Sequence, residues 1–267
     1  QRKQGLTMKK ILTAGVSATM FLLVAGGAAI AQDEEADEMR AVPVETYTCN
    51  FQQGKGPADL EPVINEWNEW LDDEGVDDYF AATILPQFYG ELPFDIGWLG
   101  AWSDGNAMGR GTDQWVYESG DLPAQFFEVI DCNSHTNFVS MQIKEQVDTG
   151  AEPDDHFVLN FSNCSFKEDG GGYDAMMAAQ NEWNAYADEH GFVSSAWLWW
   201  PIAGETNNDY DFKYIVGMPD NATAGANWQL FADGHWRKSE EMFEGILDCD
   251  ISRVYDGTVR RRMTAED

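Results

Sequence analysis

The spacing of apolar residues along the chain switches period in a regular way. From Val44 to Phe51 the residues alternate and are β-prone, which predicts a first strand. Between Asp59 and Glu74, Leu60, Val63, Ile64, Trp67 and Leu71 recur at helical spacing and predict an amphipathic helix that Gly75 ends. Tyr79 to Leu85 predicts a second strand. Phe94, Ile96, Trp98, Gly100 and Trp102 fall on one face of a third. A loop containing Gly109 and Gly111 is expected next, then a helix over Pro123 to Ile130 and a last strand over Thr136 to Ile143. The order is β-α-β-β-α-β, the ferredoxin-like arrangement.

The same succession is written twice. Cys49-Asn50-Phe51 matches Cys164-Ser165-Phe166, and Asn65-Glu66-Trp67-Asn68 matches Asn181-Glu182-Trp183-Asn184. Gly75 matches Gly191, Phe94-Asp95 matches Tyr210-Asp211, and Asp131-Cys132 matches Asp248-Cys249. The offset stays close to 115 residues throughout, far longer than a solenoid repeat, so each copy is expected to be a complete domain. Copy one is placed at 41–148 and copy two at 156–262, joined by a linker at 149–155. In copy two the third strand carries Tyr210, Phe212, Tyr214, Val216 and Met218 on one face. The second helix is expected over Ser239 to Leu247 and the last strand over Ser252 to Val259.

The N-terminal segment reads differently. Residues 1–7 are expected to be upstream, non-native residues. Residues 8–31 have the pattern of a secretory signal peptide: Lys9 and Lys10, an apolar run to Ile30, and Ala29-Ile30-Ala31 as a small-x-small cleavage site. Residues 32–40 are acidic and without periodicity, a disordered tail. A periplasmic or secreted bacterial protein is expected, with no membrane attachment after cleavage.

Charge narrows the partners. Asp and Glu number 47 against 16 Lys and Arg, a formal net charge of −31. Such a surface repels nucleic acid and anionic lipid, both of which need basic residues to displace counterions. Four cysteines in an exported chain argue for disulfides, with three possible pairings. In the β-α-β-β-α-β order the first and last strands are antiparallel neighbours, which predicts Cys49–Cys132 and Cys164–Cys249.

Large apolar residues lie on both faces of the predicted strands: Phe80, Ile84 and Trp98 in copy one, Trp197 to Trp200 in copy two. Helices cover one face; the other would be a large exposed patch. Packing the two sheets face to face within one chain removes it. This duplicated α+β pattern resembles the dimeric α/β-barrel superfamily, in which two ferredoxin-like units close a barrel between their sheets. The resemblance implies a chain that acts as its own pseudo-dimer and is otherwise monomeric. Members of the superfamily include cofactor-independent monooxygenases, haem-degrading enzymes and chlorite dismutase-like haem proteins.

No catalytic residue stands out. His135, His156, His190 and His235 are scattered, and no metal-binding spacing exists, so neither a metal nor a cofactor is expected. The acidic clusters at 72–74, 77–78 and 207–211 do not match a calcium-binding loop. Asp95 and Asp211 are repeated carboxylates that an ion pair or an edge position explains. Trp67 and Trp183 continue the apolar stripe of their helices and are expected in the core. The Asn residues beside them are expected to be helix surface kept from the duplication, or else amides aimed at a ligand or at the other copy. The favoured function is binding of a small apolar or aromatic molecule between the two sheets, through Trp98, Trp102, Trp197, Trp199 and Tyr214. The alternatives are an envelope protein without a small-molecule site and a cofactor-independent monooxygenase-like enzyme.

Overall fold

A computed structural model describes residues 41–91, 94–146, 154–204 and 209–264. The upstream residues, signal peptide and acidic tail inferred above lie outside the described residues, as do most of the linker and residues 207–208 of one acidic cluster.

The first half runs β1 (Ala41–Phe51), α1 (Pro57–Asp73), β2 (Tyr79–Phe88), β3 (Ile96–Trp102), α2 (Gly105–Glu118), α3 (Leu122–Val129) and β4 (Ile130–Lys144). The second runs β5 (His156–Phe166), α4 (Gly172–Glu189), β6 (Ser195–Ala203), β7 (Phe212–Met218) and α5 (Asn221–Leu230). It continues through a wide helical turn at Phe231–His235 to α6 (Trp236–Phe243), β8 (Leu247–Cys249) and β9 (Arg253–Arg261).

Eight of the strands form a closed antiparallel barrel in the order β7-β6-β4-β1-β3-β2-β9-β5, with β5 pairing back to β7. The short β8 extends the ladder on β5 beyond β9. The expectation of two sheets stacked face to face is therefore corrected. β4 pairs with β6 and β2 pairs with β9, so the halves join edge to edge in one continuous ladder. The physical reason is that β2, β4, β6 and β9 would otherwise present rows of unpaired backbone groups, and closure removes every such edge.

The helices lie outside the barrel. In the first half Leu60, Ile64, Trp67 and Leu71 of α1 pack on the outward face of the strands. In the second, Met176 of α4 does so against Leu198 and Phe212. Each first helix also reaches across to the last strand of the other half. Asn68 Nδ2 donates to the carbonyl of Arg260 at 3.0 Å, and Asn184 Nδ2 to that of Ile143 at 2.8 Å. One helical turn on, Asp72 meets Arg261 at 2.8 Å and Asp188 meets Lys144 at 2.5 Å. Asn68 and Asn184 thus face the other copy, whereas Asn65 and Asn181 are exposed helix surface.

The cysteines pair as Cys49–Cys132 and Cys164–Cys249, each at facing positions of adjacent strands. The expected loop at Gly109 and Gly111 is instead α2. Asp104 caps it, its Oδ1 accepting from the backbone N–H groups of Asn106 and Ala107 at 2.7 and 2.9 Å. Asp220 caps α5 in the same way through Thr223 N–H at 2.6 Å. The helix expected over Ser239 to Leu247 is α6, which starts earlier, and Leu247 belongs to β8. Trp67 is core, but Trp183 is only half-buried, against Tyr186, Phe192 and Phe231. Asp95 and Asp211 are backbone acceptors, for Phe51 N–H at 3.1 Å and Phe166 N–H at 2.8 Å.

Candidate functional site

Alternation along each strand decides what faces inward. Phe138, Leu99, Phe161, Ile215, Trp199 and Tyr255 come from both halves and fill the barrel interior, with Trp197 packed beside them. By the same alternation Thr136 and Ser140, both buried, share the inward face of β4 with Phe138. Trp98, Trp102 and Tyr214 face the other way, toward the helices. The five residues expected to surround one ligand between the sheets are therefore divided. Trp197 and Trp199 are barrel core, Trp98 and Trp102 line a cavity in the first half, and Tyr214 lines a cavity in the second. Both cavities lie between the outer barrel face and the helices.

The first-half cavity has a volume of about 540 Å³. Its walls are aromatic: Trp67 and Trp70 from α1, Trp102 from β3, Trp115 from α2 and Phe126 from α3. They meet edge to face, with Trp67–Trp98 centroids at 5.0 Å, Trp70–Trp115 at 5.8 Å and Trp98–Phe126 at 6.1 Å. Among the described residues the buried indole N–H groups of Trp70 and Trp102 have no hydrogen-bond partner. An unpaired buried donor is costly to the fold.

The cavity floor is a chain of polar groups drawn from four adjacent strands. Trp98 Nε1 on β3 donates to Tyr79 Oη on β2 at 3.1 Å, and Tyr79 Oη donates to Glu45 Oε1 on β1 at 2.7 Å. Glu45 Oε2 lies 2.8 Å from His135 Nε2 on β4. The His135 ring stacks on Tyr47 with centroids 3.8 Å apart. Glu45 is well covered, its side chain 14% exposed, while His135 is 49% exposed. Burial, reinforced by the Glu45 carboxylate, holds the Tyr79 phenol well above its ordinary range, so Tyr79 stays a donor. Two glycines make room. A Cβ on Gly100 would run into the Tyr79 hydroxyl, and one on Gly111 into the Trp102 ring.

Glu45 and His135 were not singled out from the sequence because 90 residues separate them. The cysteine pairing alone does not find them: counted from Cys49 and Cys132, Tyr47 would meet Ser134. A bulge between Thr48 and Cys49 shifts the register by one residue, and that shift sets Tyr47 opposite His135 and brings Glu45 beside it. A carboxylate held against an imidazole can accept or relay a proton, and an aromatic cavity around it can hold a flat molecule.

The second-half cavity measures about 730 Å³ and stands at the equivalent place. The register shows the correspondence. Glu45 faces Gly100, and Asn160 faces Val216; Tyr47 faces Trp98, and Ser162 faces Tyr214. Asn160 thus replaces Glu45, and Ser162 with Ser252, Oγ atoms 2.8 Å apart, replaces the Tyr47–His135 stack. Tyr214 donates to Gln180 Oε1 at 2.7 Å, and Gln180 donates on to Asn184 at 2.7 Å. Burial pushes the Tyr214 phenol up to about 12.

The histidines do not supply an axial position for the haem that the superfamily's haem proteins carry. None of them lines the second-half cavity, whose lining cysteine is in a disulfide. His135 is committed to Glu45 and Tyr47. His190 and His235 cluster with Tyr186, His235 Nδ1 at 2.7 Å from its hydroxyl and His190 Nδ1 at 2.8 Å from its carbonyl. Among the described residues no group of three or more His, Cys, Asp and Glu is placed to hold a metal. The residues present do not fit a haem.

No protein-family model and no curated protein matches the chain. Solved structures do. A Lactobacillus acidophilus protein assigned as a monooxygenase is 9% identical, with a TM-score of 0.50 over 83% of this chain and 94% of its own. A protein assigned as a chlorite dismutase is 13% identical, with a TM-score of 0.49 over 82% and 95%. An anthrone oxidase-like protein is 11% identical, with a TM-score of 0.49 over 86% and 98%. At such identities the likeness is one of fold alone: this chain is an α+β protein with the closed antiparallel barrel of the dimeric α/β-barrel kind.

Proposed function

We propose that the chain binds a small, flat, largely apolar molecule in the first-half cavity, between the outer face of β1–β4 and helices α1–α3. The observation that carries this reading is a well-covered carboxylate, Glu45, at the floor of a cavity walled by tryptophan. Apolar walls with a few oriented polar groups are the usual make-up of a small-molecule site.

In this reading each half is one ferredoxin-like unit, 41–148 and 156–262, and the chain is a monomer that acts as its own pseudo-dimer. The strand orders β4-β1-β3-β2 and β9-β5-β7-β6 support it, since both follow the same 4-1-3-2 pattern. We also infer an exported protein. Two disulfides support this, and among the described residues no helix is long and apolar enough to cross a membrane.

The test is calorimetric titration of the purified protein with a panel of small aromatic compounds. Saturable one-site binding is expected, lost when Thr112→Trp places a ring in the cavity. A panel without a binder would favour an envelope role with no small-molecule site.

A second reading has its own observation. The Glu45–His135 pair could take a proton from an acidic aromatic ligand, the first requirement of a cofactor-independent oxygenase. A protein assigned as a monooxygenase is among the neighbours in fold, and the analogy is one of fold alone. Oxygen uptake on adding a bound hydroxyaromatic, absent in Glu45→Gln, would favour it over simple binding.

A further inference from the structure

The two cavities are equivalent in position and differ in charge at one matching residue. At the floor of the first stands Glu45, and at the matching register position of the second stands Asn160. The first cavity has neither lysine nor arginine on its wall; the second is lined by Lys144, which is ion-paired to Asp188, and by the more exposed Glu240 and Glu244. Glu45 accepts from Tyr79 and lies against His135, contacts that orient the carboxylate and leave it in the cavity wall. Five tryptophans, Trp67, Trp70, Trp98, Trp102 and Trp115, surround it.

Tryptophan faces attract cations through the ring quadrupole, more strongly when water is excluded. A buried carboxylate among them adds full charge in a medium of low dielectric. The net charge of −31 enriches cations near the whole surface. We propose that the first-half cavity selects an organic cation, a flat aromatic carrying a protonated or quaternary nitrogen. The second-half cavity has an amide, not a carboxylate, at the same position. This rests on the reading of the first cavity as a small-molecule site and adds the charge of its ligand. The tryptophan faces hold the flat cation, and the nitrogen sits toward Glu45.

The experiment compares two probes of nearly the same shape, protonated 1-naphthylmethylamine and uncharged 1-naphthalenemethanol, by calorimetry on the full chain with its disulfides intact. Salt is set at about 0.5 M, where the Debye length is only a few ångströms and attraction to the general surface is suppressed. The amine is expected to bind about tenfold tighter than the alcohol or better. In Glu45→Gln that ratio is expected to collapse toward one, with the alcohol's affinity kept. Asn160→Asp in the other cavity is expected to leave the first-site ratio unchanged. Equal affinities in the native chain, or an unchanged ratio in Glu45→Gln, would overturn the charge inference and leave the cavity a neutral site. Binding of neither probe would overturn the inference together with the site reading. Should Glu45→Gln fail to fold, shown by loss of near-ultraviolet circular dichroism, the native ratio alone decides.

Discussion

Asn68 and Asn184 hold the same post in opposite halves of the barrel. Each sits on the first helix of its half and donates its amide to a backbone carbonyl of the other half's last strand, at Arg260 and Ile143 respectively. The aspartate four residues on repeats the pattern with a cation of the same strand, Asp72 with Arg261 and Asp188 with Lys144. The literal repetition of the Asn-Glu-Trp-Asn block therefore records an interface. Its two asparagine–carbonyl clamps tie β9 to the first half and β4 to the second.

Asn68→Ala and Asn184→Ala should each destabilise the protein by about 1–2 kcal/mol, because each leaves a partly buried carbonyl without its donor. Urea unfolding should show a lower midpoint with the slope unchanged, since the closed barrel unfolds as one unit. A shift below about 0.3 kcal/mol in both variants would mean that water replaces the amide at no cost.

The helix caps give a matched pair of the same kind. Asp104→Ala and Asp220→Ala should cost about 0.5–2 kcal/mol, and Asp→Asn at either site far less, because asparagine also caps. The hydrogen bond from Thr223 N–H holds the Asp220 carboxyl below the usual carboxylate range. Its contribution is present above the unfolded carboxyl pKa and is lost as pH falls through the depressed folded value. Acid titration of stability should therefore show a smaller loss in Asp220→Asn than in the native chain.

Gly111→Ala should damage the first-half cavity selectively. The added methyl meets the Trp102 ring, which is buried and cannot swing away. Overpacking of this sort typically costs about 1–3 kcal/mol. Denaturation should report that loss, and ligand titration should report weaker binding in the first half. Gly109→Ala on the same helix meets nothing within 4 Å and serves as the control.

Alkaline pH should weaken the fold before it breaks the chain. The Tyr214 phenol is pushed up to about 12 by burial, and Tyr79 is raised as well. An unfolded tyrosine ionises near pH 10. Above that pH the unfolded chain releases protons that the folded chain keeps, so stability is full below about pH 10 and falls beyond it. The slope is about 1.4 kcal/mol per pH unit for each such tyrosine, up to its folded value. Tyr214→Phe should be less stable at neutral pH, where Gln180 loses its donor, yet fall less steeply between about pH 10 and 12. Unfolding curves across that range with the disulfides intact would check it.

The sequence exposed the duplication, the element order and the disulfides because these rest on local periodicity and on matched residues such as Cys49 and Cys164. It concealed α2, since Gly109 and Gly111 read as loop residues. Asp104 and Asp220, repeated at the common offset and each opening a helix, were the signal that outweighs them. It also concealed the site. Trp199 sits on a strand with tryptophan on both faces, and Trp98 on one whose two faces are both free of charge, so periodicity shows that they alternate but not which face is interior. Glu45, Tyr79 and His135 gain meaning only when β1, β2 and β4 take their register, which is a property of the closed sheet.

Closure also sets an order of events. β2 is bordered on one side by β3, and on the other by β9, the last strand of the chain. β4 likewise waits for β6 on its far side. A chain emerging from its N-terminus can complete the first half and oxidise Cys49 with Cys132 while both of those flanks are still bare. The flank of β4 is covered once β6 is made, but that of β2 stays open until residues beyond Arg253 arrive. A halt in synthesis or a truncation after β4 and before β9 would thus leave a folded, disulfide-locked half with a strand on offer to its neighbours.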